Sequence, residues 1–134
     1  MSGSNNQGLA YPYTGSMIVN AGARKSIKCY GATPSPAVLG KGAPNALMRR
    51  LSVRVTADPV YLGEVRFKSF QDRTTPAIAD QASATDDLIN ANESWYTIEG
   101  QPVVQIQFFN DGTLPVTILF TGASDMDVSG TTLA

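Results

Sequence analysis

The chain has 134 residues, 16% of them charged, with 12 Gly, 8 Pro and a net charge of −1. That length suits one domain with a modest core, and that composition favours strands and turns over long helices. The chain contains no histidine and one cysteine, Cys29. A Ser-His-Asp triad, a Cys-His pair, a histidine-bound metal and an intrachain disulfide are therefore excluded within one chain.

Residues 1–8 lack the basic start and apolar run of a secretory signal, and no stretch approaches the roughly 18 consecutive apolar residues of a membrane-spanning helix. The expectation is synthesis in a reducing cytoplasm without membrane attachment, with Cys29 as a small buried strand residue. Charge is unevenly distributed. Residues 1–73 hold ten Lys/Arg and three acids, whereas residues 74–134 hold eight acids and no base, so the two parts carry +7 and −8. These charges either mix on the surface or give a basic and an acidic face that favour docking between copies or on an acidic partner.

Residues 1–15 are rich in Ser, Asn and Gly and lack either period of a buried element, which predicts an extended N-terminal arm. Tyr11 and Tyr13 flank Pro12 in it and either cover the domain's own base or dock on a neighbour. Met17–Val19, the turn Asn20–Gly22 and the alternating Ser26–Tyr30 predict a hairpin. Gly31–Pro44 reads as an extended loop with Val38 and Leu39 as an anchor. The clearest strand spans Leu47–Thr56, where Leu51, Val53 and Val55 alternate with Arg50, Ser52, Arg54 and Thr56. Its wet face is basic.

After a turn at Asp58-Pro59, Val60–Leu62 and Val65–Lys68 predict strands separated by a bend or bulge at Gly63. Residues 69–92 read as a long polar connection with little core, with Thr85–Leu88 suggesting an N-cap and one helical turn. Trp95–Ile98, a turn at Glu99–Pro102, Val103–Phe109, a tight turn at Asn110–Thr113 and Val116–Phe120 predict a meander. Apolar residues occupy both faces of 103–109, so one side is doubly covered or meets another subunit. A polar tail is expected over 124–134, and no repeat is present. The whole reads as an all-β antiparallel sandwich, jelly-roll-like or Ig-like, over residues 16–123.

Gly3-Ser4 and Gly15-Ser16 do not complete a GxSxG elbow, and Arg24 occupies the glycine position before Lys25-Ser26 in any phosphate loop. Glu64, Glu93 and Glu99 sit beside turn signals, where a solvated carboxylate is ordinary. Asp125, Asp127 and Ser129 lack the rest of a calcium loop, and Asn92-Glu93-Ser94 matches a glycosylation acceptor that needs export to matter. Arg24, Lys25, Lys28, Arg49, Arg50 and Arg54 form one basic cluster, but with Tyr30 as its sole aromatic neighbour and an acidic chain overall, nucleic acid is not the expected partner. No enzyme, metal or cofactor is expected.

The block Leu51 to Gly63 (LSVRVTADPVYLG), followed by Glu93 to Ile98 (ESWYTI) and the closing strands, resembles small tailed-phage virion proteins of the head decoration or cement type. The resemblance covers about residues 47–121, and the long connection between Arg73 and Asn92 departs from the compact examples. It implies a non-enzymatic sandwich subunit, located in the virion, that binds a capsid or other virion protein lattice as a homo-oligomer. Tyr11, Tyr13, Arg49, Arg50, Arg54 and Phe109 are the candidate protein-interface residues. The alternative is an oligomeric carbohydrate-binding or attachment module, with Trp95, Tyr96 or Tyr61 as its sugar platform.

Overall fold

The computed structural model describes residues 11–29, 48–72, 74–124 and 132–133. Nine strands follow in chain order: β1 (Tyr11–Val19), β2 (Arg24–Lys28), β3 (Met48–Thr56), β4 (Gly63–Phe70), β5 (Asp87–Ile89), β6 (Tyr96–Val103), β7 (Gln105–Gly112), β8 (Val116–Ser124) and β9 (Thr132–Leu133). The first sheet has the order β1-β8-β3-β6 and the second β5-β4-β7-β2-β9. Every ladder is antiparallel. The fold is an all-β sandwich.

The pairings β1–β8, β2–β7, β3–β6 and β4–β5 nest like the arms of one long hairpin, and rolling that hairpin adds the contacts β8–β3 and β7–β4. This is jelly-roll order, which distinguishes it from an Ig-like arrangement. Seven of the eight strand-to-strand connections therefore cross between sheets, and only β4–β5 stays within one.

Alternation decides which side chains meet inside. Met17, Val19, Leu51, Val53, Val55, Val116, Ile118 and Phe120 project from the first sheet. Ile27, Cys29, Val65, Phe67, Ile89, Ile106 and Phe108 project from the second. Such β-branched and aromatic pairs suit a pleated surface buried on one side.

Several expectations change. Met17–Val19 and Ser26–Lys28 are not a hairpin: β1 pairs with β8 and β2 with β7, so the turn at 20–22 carries the chain from one sheet to the other. The close of the chain is not a meander for the same reason, since β7 and β8 lie in different sheets. Val60–Leu62 is a loop, because Asp58 Oδ1 accepts from Val60 N–H and Asp58 O from Tyr61 N–H, curling the backbone. Gly63, at φ 141°, then opens β4 where a Cβ would strike the backbone of Gly112.

Thr85–Leu88 is not helical, since a turn closed by Asp86 Oδ2 on Ser83 N–H leads straight into β5. The turn foreseen at 99–102 is instead strand: β6 bulges, residues 100–102 facing residue 49 alone between the pairs Arg50↔Glu99 and Met48↔Val103. Pro102 is tolerated because β6 is an edge strand. Tyr11–Gly15 belong to β1 and not to an arm, and Thr132–Leu133 pair with Ile27 and Lys28 rather than lying in a tail. The remainder of the arm (1–10), the tail residues 125–131 and 134, and the Gly31–Pro44 loop fall outside the described residues.

One buried side chain joins three of the crossing connections. Asn110 Nδ2 donates to Val19 O at 3.0 Å and to Leu114 O at 2.8 Å, while its Oδ1 accepts from the Tyr61 hydroxyl at 2.7 Å. Substituting Asn110→Ala takes the partner from the buried Val19 carbonyl, the part-buried Leu114 carbonyl and the Tyr61 hydroxyl, and is expected to cost about 3 kcal/mol in urea unfolding, against about 1 kcal/mol for Tyr61→Phe. Equal losses in the two variants would show that the amide does not hold the β1–β2 and β7–β8 turns.

Candidate functional site

The connections β1–β2, β3–β4, β5–β6 and β7–β8 gather at one end of the sandwich. Besides the Asn110 contacts, Asn92 ties the third connection to the second: its side chain accepts from Ala57 N–H and donates to Ala57 O, both at 3.0 Å, and its own N–H donates to Val55 O. Asn92 takes the left-handed conformation, φ 61°, which asparagine tolerates better than most residues. Its amide is thus a structural tie, with the nitrogen of the acceptor sequence Asn92-Glu93-Ser94 already engaged.

On this end Val60 and Leu62 are exposed apolar side chains at 69% and 71%, with Ile18 at 59% near the close of β1 and Trp95 at 47% in the third connection. The backbone of Val60 and Leu62 is fixed. Besides the Asp58 turn, Leu62 N–H donates to Thr113 Oγ1 and Thr113 N–H returns a bond to Leu62 O at 3.0 Å. Tyr61, between them, turns inward over Gly112. Burial, then the Asp111 and Glu64 carboxylates, raise the Tyr61 hydroxyl above its usual pKa. Asp58, Glu64, Glu93 and Asp111 lie in or beside the loops of this end, a mainly acidic rim, with Glu64 held by Arg66 at 2.8 Å and Lys25 Nζ donating to Ile18 O at 3.4 Å.

Arg50 and Arg54 lie elsewhere, on the outer face of the first sheet, both exposed. Register aligns Thr14, Thr121, Ser52 and Thr97 across all four strands of that face, with Ser52 Oγ 3.1 Å from Thr97 Oγ1. Arg24 and Lys28 point to the outer side of the second sheet instead, so the basic cluster foreseen from sequence is split between opposite faces. Phe109 lies beneath the Arg24 guanidinium at 4.2 Å, engaged by its own chain. The side chains of Tyr11, Tyr13 and Arg49 lie outside the described set, and their backbones run in β1 and β3.

Tyr96 packs edge-on against Phe67, ring centroids 5.6 Å apart, and remains 39% exposed. With Trp95, Asn90, Glu93 and Ser94 it borders a cleft of about 190 Å³ between the two sheet edges β5 and β6. Sequence periodicity missed the polar counterpart on the second sheet. Ser26, Gln105 and Gln107 are buried on its outer side, because the connection over 71–86 lies across them. That connection is the cover foreseen for the doubly apolar strand, and it contributes a buried group of its own, Ala82, before Ile89 of β5 enters the core.

Among the described residues no group of three or more Cys, Asp or Glu is placed to hold a metal ion, and no helix is long and apolar enough to cross a membrane. The fold and the loop end define a jelly-roll domain with a rigid apolar knob. No protein-family model, curated protein or solved structure matches the chain.

Cys29 is 2% exposed, and burial pushes its thiol up from 9.0 to about 12. Because the folded value is the higher, its contribution to stability is complete below about pH 9 and is lost as pH rises towards 12. Cys29→Ala should flatten the decline in denaturation midpoint between those limits. Native protein at pH 8 should also resist thiol reagents until denatured, and rapid native labelling would contradict the burial.

Proposed function

We propose that the chain is a non-enzymatic virion structural subunit, a capsid decoration or cement protein that binds and stabilises a protein lattice and acts as a homo-oligomer. The observation that carries the docking role is the knob formed by Val60 and Leu62. Two large apolar side chains held outward on hydrogen-bonded backbone are pre-organised, so a partner gains their burial without the entropy of ordering a loop. The virion setting rests on the resemblance at Leu51–Gly63 and Glu93–Ile98, since a jelly roll by itself serves capsids, lectins and enzymes alike.

Charge supports the same reading. The knob lies in an acidic rim and the outer face of the first sheet carries Arg50 and Arg54, so the two surfaces are complementary between copies or towards a lattice. Burial of a Val and a Leu is worth about 3 to 5 kcal/mol at an interface, so Val60→Asp with Leu62→Asp should reduce oligomerisation or co-sedimentation with purified particles by well over tenfold. The domain should stay folded, as both side chains are in water in the free chain. Wild-type association of the double variant would sink the knob. Exchanging Arg50 and Arg54 for Glu should weaken association at low salt more than at high salt, and equal association at both would show that these residues take no part in docking.

A second reading, attachment to a glycan, is favoured by the cleft at Trp95 and Tyr96. Ring faces beside the Glu93 carboxylate and the Asn90 amide suit a pyranose, whose C–H face stacks while its hydroxyls bond. Trp95→Ala should then abolish binding to a glycan array without changing oligomeric state, whereas an array with no wild-type signal would eliminate this reading.

A further inference from the structure

The 71–86 connection crosses the outer side of the second sheet on fixed supports. Gln105 Nε2 donates to Asp72 O and Thr74 O at 3.0 and 3.1 Å. Further along, Gln107 Oε1 accepts from Ala82 N–H at 2.8 Å and Arg24 Nε donates to Ala82 O at 2.7 Å. Between these supports stands one turn of 3-10 helix, Ile78–Asp80, closed by Asp80 N–H on Ala77 O at 2.8 Å. It carries an apolar run, Ala77, Ile78 and Ala79, all exposed, with Ile78 at 88%. A single exposed aliphatic side chain is ordinary, but three in succession on a fastened backbone invite cover.

Beside the run the surface is hollow. Lys68 and Phe70 of β4, with Asp72, Pro76, Ala77 and Asp80 of the connection, border an open hollow of about 400 Å³. Phe70, Pro76 and Ala77 make part of its lining apolar, and Lys68 Nζ lies 5.7 Å from the Phe70 ring centroid. Ile78 takes no part in the lining, so a projection and a hollow stand side by side on one surface and share Ala77.

We propose that this face joins two copies of the chain about a two-fold axis, Ile78 of each entering the hollow of the other. A two-fold interface needs a surface that is its own complement in shape and in charge. The projection beside the hollow meets the first need. Lys68 and Asp80 in the hollow's lining meet the second, Lys68 of each copy facing Asp80 of the other. A foreign partner would be drawn by one sign of charge, whereas the presence of both signs favours a second copy. A contact confined to this corner of the domain is at the small end for protein interfaces, so the dimer is weak, with a dissociation constant of about 10–100 μM. Because β4 runs from Gly63 at the knob end to Phe70 at the hollow, dimerisation leaves Val60 and Leu62 of both copies free. Two knobs held together gain avidity on a repeating surface. That use rests on the lattice reading, and the self-association does not.

Sedimentation equilibrium of the full chain from about 5 to 500 μM tests the contact. The wild type should pass from monomer to dimer over this range. Ile78→Asp should raise the dissociation constant at least tenfold without changing the urea transition at low concentration, because the side chain lies in water in the free chain. Lys68→Asp and Asp80→Lys should each weaken self-association, and an equimolar mixture of the two should recover it, since each altered charge then meets its opposite. A wild type that stays monomeric throughout, or a mixture no more associated than its components, would overturn the proposal. So would a dimer that survives Ile78→Asp but is abolished by Val60→Asp with Leu62→Asp, an outcome that assigns self-association to the knob. A wild type that dimerises through Ile78 but binds no particle supports the contact and removes the lattice reading alone.

Discussion

Asn110 is fully buried, and all of its polar groups are taken. Its N–H donates to Ala23 O, its carbonyl accepts from Gly22 N–H, and its side chain holds Val19, Leu114 and Tyr61. In a jelly roll, sequential strands lie in opposite sheets, so the turns between them gain nothing from the ladder bonds that secure a hairpin. A buried amide with donors and an acceptor on one plane supplies those missing bonds at a point where three turns meet. The exposed loop side chains owe their fixed positions to this knot and to the related tie from Asn92 to Ala57.

At the other extreme of the rolled hairpin, β4 and β5 are joined by the one connection that stays in its sheet, and it is long. It lies over the polar outer side of β7 and β2 instead of extending into solvent. Arg24 and Arg66 hold it through backbone carbonyls, at Ala82 and Asp86, and the buried glutamines of β7 hold it through amides. Between these bonds the connection leaves Ile78 88% exposed. Gln105 and Gln107 interrupt the hydrophobic pattern of β7 because their partners are main-chain groups from residues 72–82.

The proposed role draws on how the surfaces are distributed. The loop end is apolar within an acidic rim. The outer face of the first sheet is a lattice of hydroxyls carrying Arg50 and Arg54, and the second sheet is roofed by its own chain. A sandwich of this kind presents two dissimilar surfaces at a large angle, which suits a subunit that must contact different neighbours. The excess of bases before Arg73 and of acids after it foreshadowed this only in part. Folding placed Asp58 and Glu64 from the basic part in the acidic rim, and separated Arg24 and Lys28 from Arg50 and Arg54.

The sequence by itself determined that this chain is built of strands, since alternation at Leu51, Val53 and Val55 or at Met17 and Val19 can bury one face only as β structure. It also determined that no histidine-dependent chemistry is available. Only the tertiary structure decided which strands pair, because pairing in a jelly roll joins residues as distant as Tyr11 and Ser124, and alternation carries no information about the partner. The same limit hid the exposure of Val60, Leu62 and Trp95, which read as strand residues, and the burial of Ser26, which read as a polar position of an alternating strand. What reversed those readings was burial and exposure set by distant segments, the Asp58 turn and the 71–86 connection, which local pattern cannot register.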